Sequence, residues 1–532
     1  MARFTFRPVR PIVAVAAFAA LATLPLAAQM ATTHESVDNE AVYKIKDEGI
    51  QRSQVMNLLS WMTDVHGGRL TGSPNYKTAA DWAAKTFTEW GLANVKQEPF
   101  EFGQGWTNDR FSMHVVEPNR YSVIAYPKAW TAGTNGPVTA DAVLALMDSE
   151  ADFAKFKGTL AGKVVLIQPL REVKAAFEPL ATRYTAKELD DLSMIEEPGR
   201  PRRAFTPGAF QFAAKRTEFL KAEGVLAVLE ASRIGDGGTV FVQGGGSRNP
   251  KDAQALPQVV MAVEHYGRIF RTLEKKVPVK IELDIANTFH TADLNSYNIV
   301  AEIPGTDKTK SAEIVMVGGH FDGWHAGTGA TDNAAGSAVM MEAIRILKTS
   351  GLKMKRTVRI GLWGGEEQGL LGSRAYAKQH FADRETMKTL PDYDKFSSYF
   401  NVDNGTGAIR GVYLQGNEAV APIFRAWMQP LRSLGMTHLT PRNTGGTDHL
   451  AFDAIGLPGF QFIQDEVEYD TRTHHSNMDT YERVQAGDMI KNAVIVATFV
   501  YHAANRDDLL PRKPKPAPQP AGQRGPGTFG GM

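Results

Sequence analysis

No cysteine occurs in the 532 residues. That absence excludes disulfides, a thiol nucleophile, thiolate zinc ligands and a lipidated N-terminal cysteine. Nor does charge of either sign dominate: 59 Lys and Arg stand against 58 Asp and Glu. A chain this near to neutral makes no electrostatic case for nucleic acid or an anionic membrane as partner. After residue 28 no apolar run has the length of a transmembrane helix. Two common hydrolase signatures are also missing, the Gly-x-Ser-x-Gly elbow and the His-Glu-x-x-His helix.

What is present begins with Arg3, Arg7 and Arg10, followed by an alanine-rich apolar stretch from Ile12 to Ala28 that turns polar by Thr32. This is the pattern of a secretory signal peptide over 1–28, cut near Ala27 or Ala28. It predicts a secreted or periplasmic protein with no stable membrane association after cleavage. The length suits two or three domains, and 43% hydrophobic with 22% charged residues is an ordinary globular composition.

Periodicity organises the rest. Residues 38–65 read as helix, 76–90 as an amphipathic helix, and 94–101 and 111–127 as strands. From about 130 to 285 short apolar runs alternate with Gly- and Pro-rich breaks, which predicts an inserted, small β-rich domain. From about 293 strands and helices alternate regularly, as in an α/β fold with a mostly parallel mixed sheet flanked by helices. The expected domains are therefore a discontinuous body of 29–129 and 286–509, the insertion 130–285, and a disordered Pro/Gly-rich tail 510–532.

His320, Asp332, Glu367, Asp403 and His475 each follow a predicted strand. An open α/β sheet gathers its site at the carboxyl ends of its strands, so these scattered residues can meet. Their oxygen and nitrogen donors suit zinc. Each has a plainer reading alone: Asp332 as a helix N-cap, Glu366-Glu367 as a solvated first helical turn, Asp403 as turn chemistry before Asn-Gly. Asp322 is placed to brace the imidazole of His320, and Glu366 is a carboxylate free to act as base. His474 competes with His475 as ligand, and Asp479 could brace either ring.

In that order the residues resemble a known family, the co-catalytic zinc exopeptidases that include carboxypeptidase Q and the secreted bacterial aminopeptidases. The resemblance rests on Gly318-Gly319-His320-Phe321-Asp322, on Trp324…Gly327…Gly329-Ala330…Asp332, on Leu362-Trp363-Gly364-Gly365-Glu366-Glu367-Gln368-Gly369, and on His474-His475-Ser476…Asp479-Thr480. Gly67 to Ser73 looks like the family's opening segment, and the insertion looks like a protease-associated domain. The resemblance implies two zinc ions per chain and peptide substrates. His320, Asp332 and Asp403 would hold one ion, and Asp332, Glu367 and His475 the other. Asp332 would bridge, and Glu366 would be the general base. Because the family pattern prefers the histidine directly before Ser or Thr, it implies His475. Gly445-Gly446-Thr447-Asp448-His449 looks more like the aminopeptidases, whereas 318–380 looks more like carboxypeptidase Q. An aminopeptidase is the first expectation and a carboxypeptidase or dipeptidase the second, with counter-charge for the substrate terminus sought at Arg472, Asp470 or Asp465. A non-catalytic secreted binding protein is the third.

Overall fold

The computed structural model describes residues 35–195 and 207–519. The expected signal peptide lies outside the described residues, as does 520–532 of the expected tail.

The first sheet has eight strands, in spatial order Ala93–Glu101, Asn295–Ile303, Thr357–Trp363, Ile314–His320, Phe396–Asn401, Gly459–Gln464, Ile409–Tyr413, His438–Thr440. The four strands from Thr357 to Gln464 in that order run parallel, and the outer pairs include antiparallel neighbours. Alternation along each strand supplies two apolar faces. Val315 and Val317 point to one core and Ile314 and Met316 to the other. Over the first face lie helices Ala335–Thr349 and Ala486–Asn505, apolar nearly all round because other helices cover their outer sides. Over the second face an aromatic group including Trp363, Tyr376, Phe396, Tyr399 and Phe452 packs beneath helix Leu371–His380.

The stretch expected as one helix over 38–65 is broken. Helix Asn39–Gln51 ends, and a second starts at Val55. The Gln54 N–H donates to Glu342 Oε1 at 3.0 Å, so the new helix end is satisfied by a distant carboxylate rather than by local sequence. The first and last helices lie together: Tyr501 Oη donates to Asp38 Oδ2 at 2.9 Å, and the Asp38 N–H to His502 Nε2 at 3.2 Å. Buried Arg356 donates to the carbonyls of Ala503, Arg506 and Asp507 at the end of helix Ala486–Asn505, where the helix dipole favours a cation.

A second sheet spans 105–290, with strands Gly105–Glu117 and Lys280–His290 paired through most of their length. Its parallel strands Val164–Leu166, Ala227–Ala231 and Gln258–Met261 pack on helix Val263–Glu274. The expected disorder after 509 does not extend to 510–519. Leu510 is buried, Arg512 donates to the carbonyls of Tyr393 and Phe396, and Lys513 pairs with Asp453 at 2.5 Å. These anchors give the segment partners that its Pro-rich composition did not show. Among the described residues no helix is long and apolar enough to cross a membrane.

Candidate metal centre

His320 ends its strand. Gly318 and Gly319 before it lie within the strand and make room: a Cβ on Gly318 would lie 2.2 Å from the Gly361 carbonyl oxygen of the next strand. The true turn is at Gly365, with φ +68, which swings Glu366 and Glu367 off the end of strand Thr357–Trp363. Asp332 does not cap the helix after it. Its backbone is non-helical, and Asn333 Oδ1 instead accepts the Gly336 N–H at 3.0 Å. Both Asp332 oxygens are thereby left to the site.

The five candidate ligands meet. His320 Nε2 lies 3.2 Å from Asp332 Oδ1 and 3.3 Å from Asp403 Oδ1. His475 Nε2 lies 3.2 Å from Asp332 Oδ2 and 2.9 Å from Glu367 Oε2. One oxygen of Asp332 therefore faces each imidazole. His474 is farther, with Nε2 at 3.8 Å from Asp332 Oδ2, and its ring lies tilted against that of His475, centroids 3.7 Å apart. Glu366 Oε2 stands 4.0 Å from His320 Nε2 on the cavity side.

The supports are mostly backbone contacts. His320 Nδ1 lies 3.1 Å from the carbonyl oxygen of Asp322, closer than the 3.6 Å to its carboxylate. The Asp322 carboxylate serves the Glu366-Glu367 turn: it accepts both backbone N–H groups and the Thr71 hydroxyl, the last at 2.7 Å. Arg69, fully buried, donates to the carbonyls of Phe321, Thr328 and Gly329, which ties the His320 strand end to the loop carrying Asp332. Burial lowers its guanidinium to about 10. Asp479 braces neither imidazole; it accepts the N–H groups of Thr331 and Asp332.

The electrostatics call for cations. Burial opposes charge on Asp332, yet His320 and His475 hold its carboxylate well below the usual range. Burial opposes charge on His475 as well, but Glu367 and Asp332 raise it to about 10. Burial, then Asp332, pushes Glu367 up to about 7. Burial pushes Glu366 well above a normal carboxylate; His320 opposes this, and Asp403, Asp448 and Glu367 add to it. Asp332 Oδ2 and Glu367 Oε1 are buried and receive no hydrogen bond. Buried acids with orphaned oxygens beside imidazoles are costly unless cations join them, so the donor set fits divalent metal.

A cavity of about 370 Å³ opens on the cluster, lined by Glu366, Asp403, Asn404, Gly445, Tyr469 and His474 among others. No Lys or Arg lines it among the described residues. The expected counter-charges lie elsewhere. Arg472 pairs with Glu468 at 3.4 Å, and buried Asp465 is engaged by Arg183 and Arg410; neither they nor Asp470 line the cavity. Sequence reasoning missed Asp448, a fully buried carboxylate that burial pushes up to about 7 although Ser373 opposes the rise. It also missed Tyr469 and the supporting roles of Arg69 and Thr71, although Arg69, Thr71 and Asp448 all fall in segments singled out for their motifs.

An α/β sheet with this cluster at its strand ends is the architecture of a metal-dependent hydrolase. Residues 298–500 match the model of peptidase family M28. It is 26% identical to carboxypeptidase Q of Mus musculus over 90% of both chains. Among solved structures it is similar to a peptidase M28 precursor from Shewanella amazonensis SB2B, with TM-score 0.63, 23% identity and coverage of 90% of this chain and 98% of that one. It is similar also to BSAP, a zinc aminopeptidase from Bacillus subtilis, with TM-score 0.55, 19% identity and coverage of 86% and 96%. The expected fold is the one observed.

Proposed function

We propose that this chain is an exported di-zinc exopeptidase that removes residues from the amino end of peptides. The observation that carries the reading is Asp332, with one carboxylate oxygen toward each of two imidazoles and a further acid, Asp403 or Glu367, beside each. His320, Asp332 and Asp403 would hold one ion, and Asp332, Glu367 and His475 the other. When bound, zinc supplies Lewis-acid polarisation of the scissile carbonyl and acidifies a water from a pKa of about 15.7 to about 7.

The chain's own groups do the rest. Glu366, aimed into the cavity and free of ligand duty, takes the proton of the attacking water and passes it to the leaving amine. The Asp322 carboxylate fixes the turn on which Glu366 sits. A cavity lined by carboxylates and, among the described residues, by no Lys or Arg favours a cationic terminus over an anionic one. A carboxypeptidase is the second reading, favoured by the full-length similarity to carboxypeptidase Q.

Export rests on the 1–28 sequence pattern alone. The second sheet, 105–290, is read as the protease-associated-type insertion, with wider bounds than 130–285.

Two peptides test the reading, one with a free amino end and an amidated carboxyl end, the other acetylated with a free carboxyl end. Cleavage of the first alone, abolished by a chelator and restored by zinc, is expected. Cleavage of the second alone would move the assignment to a carboxypeptidase. Cleavage that survives chelation would remove the metal from the reading.

A further inference from the structure

His475 is held on one side by the acids of the site and on the other by a different part of the chain. Segment Gly238–Gln243, between the second-sheet strands Ala227–Ala231 and Gln258–Met261, runs along His475–Asn477. The Val242 N–H donates to the His475 carbonyl at 3.1 Å. The Asn477 N–H donates to the Val240 carbonyl, and Asn477 Oδ1 accepts the Val240 N–H at 2.7 Å. The Phe241 ring lies 5.5 Å from the His475 ring. At the end of this seam the side-chain amide of Gln243 meets His475 Nδ1, with its Nε2 at 3.0 Å.

The backbone that carries the amide is fixed: the Gln243 main-chain carbonyl accepts the Ala129 N–H at 3.1 Å, and Val240 and Val242 are buried against Val260 and Ala262 of the second sheet. Trp324 packs on the His475 ring from another direction, centroids 6.1 Å apart. Rotation of the imidazole is therefore restricted by Gln243, Phe241 and Trp324, while its Nε2 faces Asp332 and Glu367.

An imidazole that gives its Nε2 lone pair to a metal carries a proton on Nδ1, and that proton needs an acceptor. Gln243 supplies one by turning its amide end for end, which puts the carbonyl oxygen where its Nε2 now faces Nδ1. We infer that Gln243 is a positioning residue for His475, so that the second sheet is a structural part of one half of the metal centre. The inference rests on the di-metal reading above. It gives the insertion a role in addition to any in admitting substrate: without it, one ligand loses its orientation.

The test uses the full chain and zinc itself. Zinc content and affinity are measured by competition with a chromophoric chelator for the wild type, Gln243→Leu, Gln243→Glu and Asn477→Ala. The wild type is expected to hold two ions. Gln243→Leu should bind one of them roughly 10- to 100-fold more weakly and leave the other unchanged. Gln243→Glu, which keeps an acceptor for Nδ1–H, should restore the lost affinity. Asn477→Ala weakens the seam but spares the amide, so it should cost less than Gln243→Leu. If the wild type holds two ions and Gln243→Leu holds both as tightly, the inference falls while the di-metal reading stands. An equal loss in Asn477→Ala and Gln243→Leu would reduce Gln243 to part of a docking seam and overturn it too. A wild type that binds no zinc overturns the reading and the inference together.

Discussion

The carboxylate of Asp479 receives the backbone N–H of Asp332 at 3.1 Å and that of Thr331 at 2.6 Å. Asp332 thus owes its place to a residue 147 positions later in the chain. Asp479→Ala removes no ligand but frees the loop. It should lower zinc affinity at least tenfold, within the ~10–100-fold typical of such supports. Asp479→Asn keeps one acceptor and should recover part of the loss. Chelator competition measures both, and unchanged affinity in the alanine variant would show that the loop holds itself.

Glu366→Gln keeps the shape of the side chain and removes the base. A fall in kcat of about 10²–10⁴-fold is expected at unchanged zinc content. Peptide hydrolysis followed alongside metal analysis separates the two quantities. Full activity with zinc bound would assign the proton transfer to another group.

Zinc loading should release protons. Near neutrality Glu367, raised to about 7, and His475, raised to about 10, hold protons in the metal-free site, and ligation removes them. Affinity should therefore climb as pH rises from about 5 to 9. Calorimetric titration at pH 7 in buffers of different ionisation heat should show net proton release, and affinity that falls with rising pH would contradict the assignment.

Asp448 gives a stability prediction of definite sign. Its folded value of about 7 lies above its unfolded one, so the folded state binds the extra proton between them. Metal-free protein consequently loses stability through Asp448 as pH rises from about 4 to about 7. Asp448→Asn should remove that loss: little difference from wild type at pH 4, and greater stability at pH 8 by at most ~4 kcal/mol. Urea unfolding at the two pH values decides it, and a variant less stable at pH 8 would mean that the buried carboxylate is compensated.

The strands and the five candidate ligands were legible because the candidates follow four apolar runs, His320 and Asp332 the same one, which is local information. The break at Gln54 was not, because the second helix is capped by Glu342 from across the core. The use of Gly318 was hidden for a related reason: it admits the close approach of a neighbouring strand, visible only once the strands are paired. Asp448 has no reading of its own in the sequence and Asp479 reads as a brace for an imidazole, until packing shows the first fully buried and the second holding a backbone. Gln243 carried no signal at all. A glutamine before a glycine run reads as loop, and its meeting with His475 depends on how the two sheets pack.

The contact of Asp38 with Tyr501 bears on what can be cut away. Ile45, Val55, Leu59 and Met62 from the N-terminal helices share a core with Val496, Phe499 and Val500 of the last one. Arg69 and Thr71, also outside 298–500, hold the strand end and the turn of the metal centre. The stretch that carries the family's signature is therefore not a folding unit. Expressed alone it would expose an apolar flank and lose two of its internal struts, so a minimal enzyme of this type has to begin well before the first recognisable residue of its catalytic motif.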